Sequence, residues 1–192
     1  MNKKILAVCL VVICLSITAG GTLSYLTSES VTNNVITTGN VKIELEEKQE
    51  LTPGVETDFP AAGLSGAMPG DKISKIVRVK NTGTTPAWTR IDVKTTIKSG
   101  TTDLPTVLSN GEDAVMITPL TGWTKGSDGY YYYENELAAG DRTPPLFREV
   151  KINPLMGNTY QECEISVLVS AHAVQSAHNG TTVSEAAGWP VP

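Results

Sequence analysis

The sequence predicts an all-β protein: a two-sheet antiparallel sandwich, jelly-roll-like, with few short helices. Three observations carry that expectation. Apolar and polar residues alternate with period two in several segments, most clearly in AWTRIDVKTTIK, Ala87–Lys98. Turn-forming Gly, Pro and Asn recur at short intervals, and Thr is abundant where strands would lie. Eight or more short strands can be marked out between those turns, the pattern of a sandwich or jelly roll. A chain of 192 residues suits one domain with a real core, and its 40% hydrophobic content is ordinary.

The elements follow in order. Lys3 and Lys4 precede an apolar run from Ile5 to Ile17, with small residues after it at Thr18 to Thr22. This is the layout of an export signal over residues 1–24, leaving residues 25–192 as a single β-sandwich domain. Thirteen apolar residues reach about 20 Å as a helix, short of the ~30 Å hydrocarbon layer. A retained anchor would need the segment to extend to Tyr25 or Leu26. Thr22, Ser24 and Tyr25 mark the cleavage region, with the cut expected after Ser24. Ile13 before Cys14 and Val8 before Cys9 are bulky where a lipidated cysteine usually has a small neighbour.

Val31 to Val41 reads as a strand carrying Val31, Val35, Ile36 and Val41, its pairing partner open between its own domain and the next subunit. Val41, Ile43 and Leu45 then alternate with Lys42, Glu44 and Glu46. Thr52–Gly70, rich in Pro, Gly and Ala, reads as a loop or irregular excursion. Ile73, Val77 and Val79 suggest a strand closed by the turn Asn81-Thr82-Gly83. In Ala87–Lys98 one face carries Ala87, Thr89, Ile91, Val93, Thr95 and Ile97. The other carries Trp88, Arg90, Asp92, Lys94, Thr96 and Lys98, expected to be wet and charged. Further strands are expected at Ala114–Ile117, Gly122–Lys125, Tyr130–Glu134, Phe147–Ile152 and Glu162–Val174. Thr182–Gly188 is the one helical candidate, a turn or two with Ser184 as cap.

The chemical inventory is thin. Net charge is −5, with no basic run beyond Lys3-Lys4, so no nucleic-acid partner is expected. Cys9 and Cys14 fall in the signal, leaving Cys163 without an internal disulfide partner. It alternates with Ile165, Val167, Val169 and Ala171 and reads as a small buried hydrophobe, with intermolecular pairing as the minor reading. His172 and His178 lack HExxH spacing, and His172, opposite Val167 and Val169, reads as exposed. There is no GxSxG, no phosphate loop and no DxDxDG. The pairs Glu46-Glu47 and Glu112-Asp113 read as solvated charges. No catalytic residue, metal ligand or cofactor is expected. Asn179-Gly-Thr matches a glycosylation acceptor, a pattern common by chance. The closing GWPVP carries no sortase motif, so wall attachment is not expected.

The most unusual run is Tyr130, Tyr131, Tyr132 and Tyr133. On a strand, alternate rings point to opposite faces, so two pack and two are displayed. The displayed pair is a candidate surface for polysaccharide or a neighbouring subunit; packing of all four is the plainer alternative.

An apolar signal running into GGTLSYLTSE and VTNNVITTGNVKIELEE resembles exported bacterial proteins cut by the SipW-type signal peptidase, the TasA/camelysin family of biofilm matrix proteins. Met68–Ile91, Asp128–Phe147 and Ile165–Asn179 extend the resemblance in order along nearly the whole chain. It departs in having Ser24-Tyr25 where the family often has Ala near the cut. The resemblance implies a secreted jelly-roll subunit of the extracellular matrix or cell surface. Its partners would be copies of itself, the signal peptidase during export, and matrix polysaccharide or related matrix proteins. Fibres would grow when the segment freed by signal removal completes the sheet of the next subunit. A cell-surface module binding glycan or protein is the alternative, and a camelysin-like metallopeptidase a lesser one.

Overall fold

The computed structural model describes residues 40–60 and 66–190. Among the described residues ten strands make up nearly all the regular structure: β1 Ile43–Thr52, β2 Val55–Asp58, β3 Lys72–Asn81, β4 Ala87–Ser99, β5 Thr102–Leu104, β6 Val115–Ile117, β7 Trp123–Lys125, β8 Tyr131–Tyr133, β9 Phe147–Ile152 and β10 Glu164–Gln175. Among the described residues the only helical element is a 3₁₀ turn at Asn158–Tyr160. One antiparallel sheet runs β2-β1-β3-β9-β6 and the other β10-β4-β8-β7, with β5 attached to the end of β4. The fold is an all-β sandwich.

Both inner faces are apolar because the period-two pattern puts one side of each strand against the other sheet. Val77, Val79, Ile91, Ile97, Leu146 and Phe147 are almost wholly buried between the sheets. Each such side chain contributes roughly 1.5–3 kcal/mol by leaving water. The cover is thinner along one margin, where β1 lies against β10. There Ile43, Leu45, Cys163, Ile165, Val167 and Ala171 touch the core but are only half-buried.

Buried asparagines hold the passages between elements. Asn81 is fully buried at the corner from β3 to β4; its side-chain amide donates to Thr85 O (2.8 Å) and Leu137 O (3.0 Å) and its Oδ1 accepts from Gly83 N (2.9 Å). Residues 40–42 press against this corner, with Asn40 O accepting from Thr84 N and Lys42 O from Thr82 N and Gly83 N. A Cβ on Gly83 would lie 2.2 Å from Asn40 O, so only glycine permits that approach. The turn read at Asn81-Thr82-Gly83 is therefore also the clasp for the chain entering β1.

Four expectations are corrected. Thr52–Gly70 does not begin as an irregular excursion: β1 reverses at Pro53-Gly54 and returns as β2, paired from Thr52↔Val55 to Lys48↔Asp58. All four β2 residues are exposed, so no hydrophobic alternation announced the strand. The helix expected at Thr182–Gly188 is a short turn, with Glu185 N bonding Thr182 O; Glu185, not Ser184, caps it by accepting from Thr181 N and Oγ1. The outer face of β4 is not wet at its start, because Trp88 and Arg90 are buried beneath residues 176–190. Glu46 is not a freely solvated charge, since its carboxylate sits between Arg142 Nε (2.8 Å) and Arg78 Nε (3.4 Å), while Glu47 pairs with Lys75 at 2.9 Å.

Candidate functional site

Two features of the second sheet stand out, one on its outer face and one at its edge. The outer face is built by register. Arg90 of β4 stands opposite Tyr132 of β8 and His172 of β10, and Thr124 of β7 continues the row. Tyr131 and Tyr133 alternate inward: Tyr131 is buried in the core, and the Tyr133 ring lies 5.4 Å from that of Trp123.

Tyr130 and Tyr132 point outward and enclose a guanidinium rather than standing free. The Arg90 Cζ lies 3.9 Å from the Tyr130 ring centre and 4.7 Å from that of Trp189. Its Nη1 donates to the Tyr132 hydroxyl at 3.3 Å and its Nη2 to the Pro190 carbonyl at 3.2 Å. Such stacking is worth on the order of 1–2 kcal/mol per ring when shielded from water. The Tyr132 hydroxyl in turn donates to Asp128 Oδ2 at 2.6 Å.

These contacts shift three ionisations. The Asp128 carboxyl is held below its usual range, first by the Tyr132 hydrogen bond, with smaller help from backbone N–H groups and the Arg90 charge. Burial, then the neighbouring Asp128 acceptor, pushes the Tyr132 phenol up. His172 is half-buried against the edge of the Tyr130 ring (5.7 Å), not freely exposed; burial lowers its pKa, and the Arg90 charge lowers it further.

Residues 176–190 complete this face. Trp88 Nε1 donates to Asn179 O at 3.0 Å. The Asn179 amide donates to Gln175 O (3.0 Å) and Ala187 O (3.1 Å), and its Oδ1 accepts from Ala187 N (2.9 Å). Every polar atom of that side chain is engaged within the fold, which closes the glycosylation reading of Asn179-Gly-Thr in the folded chain. His178 lies in the adjoining turn, exposed and with φ of 59°.

The second feature is the outer edge of β10. This strand pairs with β4 over all twelve residues, Glu164↔Lys98 through Gln175↔Ala87, and ends its sheet among the described residues. Glu164 is its only carboxylate, it has no Lys, Arg or Pro, and Leu168 is 60% exposed. The other edges are short: β2 has four residues, β6 and β7 three each. Natural sheets normally blunt long edges with charge, proline or a bulge, and β10 carries only the charge of Glu164 at its first residue.

Of the residues expected to matter for assembly, Val41 is half-buried just ahead of β1. Val31, Val35 and Ile36, and the cleavage residues Thr22, Ser24 and Tyr25, lie outside the described residues. Among the described residues no three His, Cys, Asp or Glu side chains gather at metal-binding distance, and no helix is long and apolar enough to cross a membrane. Cys163 is a free, half-buried thiol.

The roles of Arg90 and Trp189 escaped sequence reasoning. Arg90 stands in a charged-looking alternation, and Trp189 in the short segment GWPVP, which has no periodicity. The available signal was a tryptophan placed beyond the last strand, since so large a ring seeks cover. No protein-family model and no curated protein matches this sequence.

Proposed function

We propose that this chain is a secreted structural subunit of the extracellular matrix or cell surface that assembles head to tail, as its resemblance to the TasA/camelysin proteins implies. The observation that supports the reading is the edge of β10, unpaired among the described residues. Alternate residues of an edge strand turn their N–H and C=O groups outward, and each bond made there adds roughly 0.5–1.5 kcal/mol net. A strand laid along these twelve residues, about half of which turn outward, also covers the half-buried margin of Ile165, Val167 and Ala171.

The strand to fill that edge comes from the Val31–Val41 segment of a neighbouring copy, the part ahead of Asn40, where the chain is clasped to its own domain. Val31, Val35 and Ile36 supply apolar side chains, and pairing along a sheet edge sets register through alternate residues. A contact between one molecule's leading segment and another's edge is heterologous, so it propagates instead of closing. The export signal holds that segment at the membrane until the signal peptidase cuts near Ser24. Cleavage is thus the trigger for growth.

The test is removal of the donor. A variant lacking Leu26–Thr38, purified beside the mature chain, is expected to stay a folded monomer while the mature chain forms filaments visible by electron microscopy. Filaments from the deletion variant would refute the reading.

A further inference from the structure

A cleft of about 690 Å³ opens on the outer face of the second sheet, between the turn joining β7 to β8 and residues 182–189. We propose that it is a binding site for a neutral oligosaccharide, seated on Tyr132 and Trp189 and held by Asp128 and Glu134. The proposal is independent of the assembly reading, since the cleft adjoins β7 and β8 and the bare edge belongs to β10 at the other end of the sheet.

The walls have the required chemistry. The Tyr132 and Trp189 rings meet at 80° with centroids 5.9 Å apart, forming an aromatic corner. A ring face accepts the C–H face of a pyranose, and aromatic residues with a polar tip suit ligands that are apolar on one side and wet on the other. Around the corner stand Asp128, Glu134, Thr124 and Ser184, carboxylates and hydroxyls that accept from and donate to sugar hydroxyls. Their positions are set in advance. Thr124 Oγ1 donates to Glu134 Oε1 at 2.5 Å, and the Asp128–Tyr132–Arg90 chain fixes the tyrosine ring. Gly126 makes the space, because a Cβ there would lie 2.6 Å from Asp128 Oδ1 and 2.8 Å from the Tyr132 ring.

Charge and size narrow the ligand. The one guanidinium is covered by two rings and two oxygens and pairs with Asp128 at 3.8 Å, which leaves Glu134 as the uncompensated charge. That balance disfavours phosphates and other anions. The volume falls in the range of ordinary ligand pockets and holds more than one sugar ring.

The full chain is titrated by calorimetry with cellohexaose, chitohexaose and maltohexaose, and with hexalysine as the cationic competitor. Saturable binding of at least one hexasaccharide is expected, weakened about tenfold or more by Trp189→Ala and by Glu134→Gln. Glu134 is exposed, so its amide variant separates loss of a contact from loss of folding. Binding of hexalysine alone, no binding of any hexasaccharide at millimolar concentration, or affinity unchanged from the parent chain in either variant overturns the proposal. Electron microscopy of the same variants tests assembly separately, since the cleft substitutions leave β10 and the donor segment intact.

Discussion

Arg90 shows what one residue does in this fold. It projects from a strand face expected to be wet, yet two aromatic rings and a carbonyl of the closing segment cover it. Its charge then reaches His172 in the adjacent position on β10. Burial against Tyr130 opposes protonation of His172, the Arg90 charge adds to the opposition and Asp92 favours it, so the folded pKa is lowered. An imidazole of lowered pKa stabilises the fold in its neutral form. That contribution is complete above the ordinary value of about 6.5 and is lost as pH falls through the lowered one. The urea midpoint is therefore expected to drop between pH 7.5 and 5, and to drop less in His172→Gln. Equal drops in the two proteins would show that His172 carries none of the dependence. Asp128 acts in the same sense at lower pH, since its carboxyl is held below the usual range and loses its bond to Tyr132 only when protonated.

At the scale of elements, legibility followed burial. β3, β4, β9 and β10 alternate against a core and were readable as strands, with β9 at Phe147–Ile152 as expected. β2 is exposed throughout and β5 sets only Leu104 against the core, so neither left a hydrophobic signature; both are fixed by hairpin turns and main-chain pairing. The candidate site was half-visible for the same reason. The tyrosine run was conspicuous, but what Tyr130 and Tyr132 face depends on residues 176–190 folding back over the sheet, a long-range contact without local periodicity. That segment is latched by Asn179, whose amide makes three hydrogen bonds, and by Trp88, Val174 and Val183, which form a small apolar cluster. Asn179→Ala removes all three bonds and is expected to cost about 2–3 kcal/mol. Its signature is local: the buried Trp88 should become accessible to acrylamide quenching while far-ultraviolet circular dichroism stays that of a β protein. Unchanged quenching would mean that the aromatic cluster alone holds the segment.

The sandwich as a whole is asymmetric in its margins. One sheet carries five strands along its path and the other four, β10 faces β1, and β2 is exposed along its whole length. β1 pairs with β2 and β3 in the other sheet, and the place beside β10 is open among the described residues. Either the chain's own leading segment fills that place or a neighbour's does, and thermodynamics separates the two. An edge filled from within gives a urea midpoint independent of protein concentration. An edge filled by a second copy links folding to association, so a tenfold rise in concentration adds up to about 1.4 kcal/mol per subunit. The mature chain is expected to show that dependence and the variant lacking Leu26–Thr38 to lose it. Adding a peptide of residues 25–41 to that variant should raise its midpoint as peptide concentration rises, because the vacant edge then binds the strand from solution. A mature chain whose midpoint ignores concentration would place the donor strand in its own domain and remove the basis for filament growth through β10.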